Sequence, residues 1–195
     1  AEMIAATPEK AVTMSRFASR VLNTQFRDNM SDFSSRGPDG DNNILKPDMG
    51  APGGSILSGT SPEDADGASF ELMSGTSMAA PHVAGAAAVM KQLHPDWTAV
   101  EIKTALTSSS VNGLKKEDST SATTPFDLGA GRLDLSRAVK AAVTFDKPSF
   151  AQNPCVIECN FTRTIRNMSN KEVTWTGKVQ FTDNATVGTL DKTSI

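Results

Sequence analysis

Several residue types are scarce in this chain, and each shortage closes off a class of function. There are two histidines, His82 and His94, and two cysteines, Cys155 and Cys159, in 195 residues. Two cysteines are too few for a disulfide-built scaffold, and with no histidine nearby they supply half of a zinc shell, so no metal or other cofactor is expected. There is no basic surplus. With 19 Lys and Arg against 22 Asp and Glu the net charge is -3, which leaves nothing to neutralise a phosphate backbone and argues against nucleic acid as a partner. Both signs are spread along the chain, without an acidic or basic tail. No apolar run approaches the roughly 18 residues that a membrane span needs. The opening Ala1-Glu2-Met3-Ile4-Ala5 lacks the charged start and apolar stretch of a signal peptide. If the protein is secreted, its signal is expected upstream, and both ends read as cut points within a longer protein.

What remains is enough for one ordinary domain with a small appendage, since 38% of residues are hydrophobic. An alternating patch at Ala11-Val12-Thr13-Met14 suggests a short strand. Turn formers dominate from Phe33 to Asn43, and again from Lys46 to Gly54. Ser69 to Met73 reads as a buried strand. From Met78 to about Leu93 the residues are small and apolar on every side, the pattern of a helix enclosed by other elements. Such a surface needs cover from sheet strands, a retained N-terminal portion or a second copy of the chain. Thr98 and Glu101 form a capping-box pattern that opens a second helix over 98–108, with Val100, Ile102, Ala105 and Leu106 as its apolar stripe. Residues 109–125 read as a surface loop, and 135–142 as a short third helix.

The character changes after Val143. Period-two runs such as Phe161–Arg166 and Val173–Phe181, separated by Asn, Ser and Gly, indicate antiparallel β structure. Residues 1–143 and 144–195 are therefore expected to be separate units, the second an incomplete β domain. In a continuous strand the Cα atoms of Cys155 and Cys159 would lie about 13 Å apart, beyond the disulfide limit of about 7 Å. A turn at Val156-Ile157-Glu158 would let them bridge. The bridge is favoured, and two free thiols are the alternative.

Gly75-Thr76-Ser77-Met78-Ala79-Ala80-Pro81-His82 carries the chemistry. A strand, a glycine turn and a buried helix put Ser77 at a helix N-terminus, where unpaired N–H groups favour negative charge. An oxyanion forming there would be stabilised. Taken alone, the local pattern favours a serine that merely caps the helix. A nucleophilic serine also needs a base. His82, five residues along the same helix, is displaced by about 7.5 Å and rotated by about 140°. It reads as a buried structural histidine. His94, at the helix end, reads as a dipole or packing residue.

The segment Ser74-Gly75-Thr76-Ser77-Met78-Ala79-Ala80-Pro81-His82-Val83-Ala84-Gly85 resembles the serine signature of the subtilase family. Phe33–Pro38, Lys46-Pro47-Asp48, Ala51-Pro52-Gly53, His94–Thr98 and Gly129–Asp134 agree with it in order, so the resemblance covers roughly residues 8–142. It implies an α/β fold: the C-terminal part of a parallel-sheet domain with a buried central helix, followed by an antiparallel β domain. It also implies a serine endopeptidase acting on protein or peptide substrates, with Ser77 as nucleophile and Gly75 and Thr76 beside the first specificity pocket. The triad order Asp, His, Ser implies that the base, its Asp and the oxyanion-hole Asn lie upstream. The segment alone is then expected to be inactive. Phe33–Pro38 is similar to the branch with a protease-associated insert and a fibronectin-III-like C-terminal domain, which implies secretion. Gly54 departs from the pattern, which has Val after Ala-Pro-Gly.

A lipase-type elbow would need Gly where Ala79 stands and an Asp before a late His, an order that is absent. A non-catalytic binding or structural fragment is the alternative from another class. Asn29, Asn160, Asn167 and Asn184 each open an Asn-x-Ser/Thr sequon.

Overall fold

A computed structural model of the chain describes residues 27–38, 45–64, 66–152, 154–181 and 186–190. The strand expected at 11–14 lies outside the described residues. The element order is β1 (Ile56–Gly59), β2 (Phe70–Met73), α1 (Thr76–Leu93), α2 (Ala99–Ser108), α3 (Pro125–Leu128), α4 (Leu135–Ala138), β3 (Val143–Phe145) and β4 (Ile165–Asn167).

The strands form two antiparallel pairs. β1 and β2 make a hairpin with Ile56 opposite Met73 and Gly59 opposite Phe70. β3 and β4 pair with Val143 opposite Asn167. Parallel pairing occurs among the described residues only as the single bridges Asn29–Lys115 and Gly50–Arg132. A strand does form where 69–73 predicts one, but it is not buried. Leu72 and Met73 are exposed, as is Leu57 across the hairpin, because the described residues put nothing on either face. The run Val173–Phe181 forms no named strand: within it Thr176 alone makes a β-bridge.

The core is where α1 crosses α2. Ala86 and Met90, one helical turn apart on α1, pack with Trp97 from the connecting turn. Ile102, Ala105 and Leu106 of α2 and Ala138 of α4 complete the cluster. Val100, expected in the same stripe, is exposed. The expectation that α1 is enclosed is corrected: only Ala86 and Met90 are fully buried along its 18 residues. A helix apolar all round needs neighbours all round, and the described elements cover one face.

α2 begins where the capping pattern places it. The Glu101 N–H donates to Thr98 Oγ1 at 3.2 Å, and the Thr98 N–H donates to Glu101 Oε2 at 2.7 Å. Its buried threonines turn inward to the backbone, Thr104 Oγ1 donating to the Glu101 carbonyl at 3.1 Å. The β3–β4 pair is seated on α2, with the Phe145 N–H donating to Thr104 Oγ1 at 3.2 Å and Arg166 paired to Glu101. The third helix is shorter than expected, 135–138 rather than 135–142. The loop at 109–125 is more firmly held than a surface loop. Leu114 is buried, and Val111 bridges to Arg132. The sequence reading also missed α3, whose N-terminus has its own box, Thr124 with Asp127 and Pro at the first helical position. Cys155 and Cys159 are bridged, their Cα atoms 5.9 Å apart, so the local turn closes as favoured.

Candidate active site

The hairpin β1–β2 delivers the chain to Gly75, the N-cap of α1, with Thr76 and Ser77 as the first two helical residues. The Ala51-Pro52-Gly53 loop clasps this turn. The Gly75 N–H donates to the Gly53 carbonyl at 2.8 Å, and the Ser55 N–H donates to Ser74 Oγ at 2.7 Å. Gly53 has to be glycine: a Cβ there would sit 2.9 Å from the Gly75 carbonyl oxygen and 3.3 Å from Ala79 Cβ. Gly54 is different. The nearest atom to a Cβ at that position is Ser31 Oγ at 3.8 Å, so the departure from Val changes no contact with the serine turn.

Ser77 is exposed, and among the described residues its hydroxyl has no hydrogen-bond partner. It therefore does not cap the helix, because the cap position belongs to Gly75, which offers no side chain. The Met78 and Ala79 N–H groups both turn to the Gly75 carbonyl, at 3.0 and 3.4 Å. Those of Thr76 and Ser77 have no acceptor among the described residues. Two free donors at the positive end of an 18-residue helix make a site suited to an oxyanion. Pro81 lies four residues beyond Ser77 within the helix and has no N–H, which leaves the Ser77 carbonyl without its helical donor.

Neither histidine reaches the hydroxyl. His82 Nδ1 lies 2.7 Å from the Met78 carbonyl oxygen, folding the ring against its own helix. It is exposed rather than buried, which corrects that expectation. His94 is the C-cap of α1, its N–H donating to the Met90 carbonyl at 2.9 Å, and its ring stacks on Trp97 with centroids 3.9 Å apart. It stands at the far end of the helix from Ser77, roughly 25 Å away at 1.5 Å per residue. The described residues bring no group of three or more His, Cys, Asp or Glu side chains together at metal-holding distance.

Two of the other matching segments, Phe33–Pro38 and Lys46-Pro47-Asp48, are tied down through carboxylates. Arg36, from the Phe33–Pro38 segment, reaches Asp127 at 2.6 Å and Glu117 at 2.8 Å. Lys116 approaches Asp127 at 3.4 Å, and the Thr124 N–H and hydroxyl each donate to it at 2.7 Å. Burial pushes the Asp127 carboxyl up, but these donors outweigh it and hold the group well below the usual carboxylate range. Asp48, from Lys46-Pro47-Asp48, takes Lys46 at 2.6 Å and Lys103 of α2 at 2.9 Å. Both lysines overcome its partial burial and lower its pKa. Its carbonyl accepts from the Ala130 N–H at 3.0 Å. There Gly129 packs so tightly that a Cβ would lie 2.2 Å from the Pro47 carbonyl oxygen, at a φ of 62° that favours glycine. These motifs brace the frame around α1. The signal that could have assigned them that role was the placing of charged residues, Arg36, Lys46, Asp48 and Asp127, inside segments otherwise built of turn formers.

A cavity of about 550 Å³ opens along the α1–α2 seam and is lined by Val83, Ala87, Trp97, Ile102 and Leu106, among others. None of Gly75, Thr76 and Ser77 lines it, so it is an uncovered part of the helix seam rather than a substrate groove beside the serine.

The model of the subtilase family matches residues 6–131. The chain is 40% identical over 132 residues to Subtilisin-like protease SBT1.6 of Arabidopsis thaliana, covering 60% of this chain and 17% of that protein. It is 39% identical over 122 residues to Subtilisin-like protease SBT3.10 of the same plant, covering 58% of this chain and 16% of the relative. Against Subtilisin-like protease SBT2.5, also from Arabidopsis thaliana, identity is 39% over 138 residues, 58% of this chain and 17% of the relative. The chain thus spans about one sixth of the length of the curated relatives it matches. With the family model covering well over half of its residues, the chain belongs to the subtilase family of serine proteases, and so to the α/β class.

Proposed function

We propose that this chain carries the nucleophile of a serine endopeptidase, and that the nucleophile is Ser77. What supports the reading is one local arrangement: an exposed, unpartnered hydroxyl beside two free N–H groups at the start of a long helix, clasped by the Gly53 loop. In the proposed reaction Ser77 Oγ attacks the scissile carbonyl carbon and its proton passes to a histidine base. The oxyanion settles against the Ser77 N–H, and the amine leaves with that proton to give an acyl-enzyme that water hydrolyses. Gly75 and Thr76 flank the first specificity pocket. The histidine, its Asp partner and the Asn that completes the oxyanion hole come from residues outside these 195, because His82 and His94 both face elsewhere.

The substrates are proteins or peptides, and the protein works outside the cell. Residues 144–195 begin a fibronectin-III-like domain, and residues 1–32 re-enter the catalytic domain from a protease-associated insert. The uncovered faces of α1 and the β1–β2 hairpin are covered by the N-terminal portion of the catalytic domain. By itself this chain is inactive. A fluorophosphonate probe tests the reading: the full-length protein should be labelled at Ser77 and lose both label and peptidase activity on Ser77→Ala. The isolated chain should label slowly. Rapid labelling of the isolated chain would overturn the missing-base argument, and an active Ser77→Ala protein would overturn the assignment itself.

A further inference from the structure

Four sequons remain unused by the proposed chemistry, and the structure separates those it describes. Asn29 is partly buried. Its Nδ2 donates to Ser119 Oγ at 2.5 Å, and its Oδ1 is sealed from solvent without a partner. A glycan on that nitrogen would have to open the contact between the 27–38 segment and the 115–122 loop, which Met30 N–H to Lys115 carbonyl also closes at 2.8 Å. Asn167 is exposed but holds a turn, accepting from the Ser169 N–H at 2.9 Å and donating to the Lys171 carbonyl at 2.8 Å. Asn184 lies outside the described residues.

Asn160 is placed differently. Its single side-chain contact is a solvent-exposed one to Glu158 Oε1 at 3.1 Å, which a nitrogen bearing one sugar can still make with its remaining N–H. The next residues alternate. Phe161 stacks on Phe150 with centroids 5.1 Å apart, and the Arg163 guanidinium lies over Phe150 at 4.3 Å. With 161 and 163 tied to the body, Asn160 and Thr162 are both exposed and stand on the outward side of this extended segment. The amide and hydroxyl of one sequon are thus presented together. The adjoining Cys155–Cys159 bridge supplies a second observation, because disulfides persist in the oxidising secretory route, where such glycans are attached.

We propose that Asn160 carries an N-linked glycan, an inference that rests on the extracellular reading above. The donor is a polyprenyl-diphosphate oligosaccharide. A bond forms between sugar C1 and Asn160 Nδ2, the C1–O bond to the diphosphate breaks, and the proton lost from the amide is balanced by the departing diphosphate. The glycan stands beside Val156 and Ile157, which are 83% and 96% exposed at the tip of the disulfide loop, and screens that apolar surface.

The test expresses the full-length protein in a eukaryotic secretory host, once with its own leader and once with a heterologous signal peptide. Secreted protein is treated with peptide-N-glycosidase in heavy water and mapped by peptide mass spectrometry. Glycans are added as the chain emerges, so the secreted, folded pool reports the sites that the fold tolerates. The expected result is isotope-labelled Asp at 160 and an unmodified Asn29. Asn160→Gln and Thr162→Ala should each remove one glycan; the second leaves Asn160 itself in place should the first misfold. An unmodified Asn160 in the heterologous-leader protein overturns the proposal. Retention of the own-leader protein in the cytosol, with Asn160 modified in the other arm, overturns instead the extracellular reading.

Discussion

Glu101 does two jobs, and their relative weights can be worked out before any measurement. Its carboxylate accepts from the Thr98 N–H at 2.7 Å and the Thr98 hydroxyl at 2.9 Å, closing the N-terminus of α2. The same carboxylate pairs with Arg166 of β4. The Glu101 side chain is 9% exposed but that of Arg166 is 68% exposed, so water screens the ion pair and it is worth about 0–1 kcal/mol. Loss of a capping side chain costs about 0.5–2 kcal/mol. The cap should therefore outweigh the pair. Glu101→Ala should cost about 1.5–2 kcal/mol, through the lost cap with a small contribution from the pair. Glu101→Gln keeps an acceptor for Thr98 and should cost about 0.5–1 kcal/mol, since a charge-assisted bond becomes a neutral one. Arg166→Ala should cost less than about 1 kcal/mol, and the coupling in a Glu101/Arg166 double-mutant cycle should be of similar size.

Urea unfolding followed by tryptophan fluorescence reads this directly, because Trp97 is buried next to the cap and stacks on His94. A Trp175→Phe background leaves Trp97 as the single reporter. The Thr98 N–H, and after it the Arg166 charge, hold the Glu101 carboxyl below its ordinary value. A depressed carboxylate stabilises the fold above the ordinary Glu pKa of about 4.3 and loses that contribution as pH falls through its folded value. Glu101→Gln should therefore flatten the acid limb of the stability profile. An Arg166→Ala protein as destabilised as Glu101→Ala, or a coupling above about 2 kcal/mol, would show that the inter-element pair and not the cap carries the energy.

The remaining expectations concern the frame around Ser77. Asp127→Asn keeps an acceptor for Thr124 but strips the charge that faces Arg36 and Lys116, and with the side chain 8% exposed the cost should be about 2–4 kcal/mol in urea unfolding; a cost below about 0.5 kcal/mol would mean that the site admits water freely. Because the Asp127 carboxyl is also depressed, that stabilisation should persist through mild acid and fail only below the usual carboxylate range. Gly53→Ala places a methyl 2.9 Å from the Gly75 carbonyl oxygen and should displace the serine turn. In the full-length protein kcat should fall by about tenfold or more, with KM changing less, since small misplacements of a nucleophile are costly. His82→Ala removes a ring whose contact is with its own helix, so peptidase activity should stay within about twofold and stability within about 1 kcal/mol.

Legibility of the fold followed how local the determining physics is. The α2 boundary could be read from Thr98 and Glu101, because a capping box is satisfied within four residues. The Cys155–Cys159 bridge needed only a turn between neighbours. α3 was equally local and was missed, since its box closes with Asp127 rather than the usual Glu or Gln. What could not be read locally was burial. The β2 strand and the outer faces of α1 carry core-like sequences, yet Phe70 is 67% exposed and Leu93 is 54% exposed. Burial belongs to the partner surface as much as to the residue, and these residues' partners are not among those described.

Ser77 lies between these cases. Its position at the start of α1 follows from a short string of residues around Gly75. Its proposed role as a nucleophile does not, because a serine at a helix N-terminus is compatible with a cap, a phosphate site or an acyl-transfer site alike. The structure narrows that choice through what the side chain does not do. Gly75 takes the cap position, leaving the hydroxyl unengaged, and the Gly53 carbonyl fixes the turn after which two N–H groups stay free. A capping serine would be turned back onto its own helix, as Thr98 is on α2, with Oγ1 3.2 Å from the Glu101 N. Ser77 is held open instead, an exposed and uncommitted hydroxyl within the segment that resembles the family's serine signature.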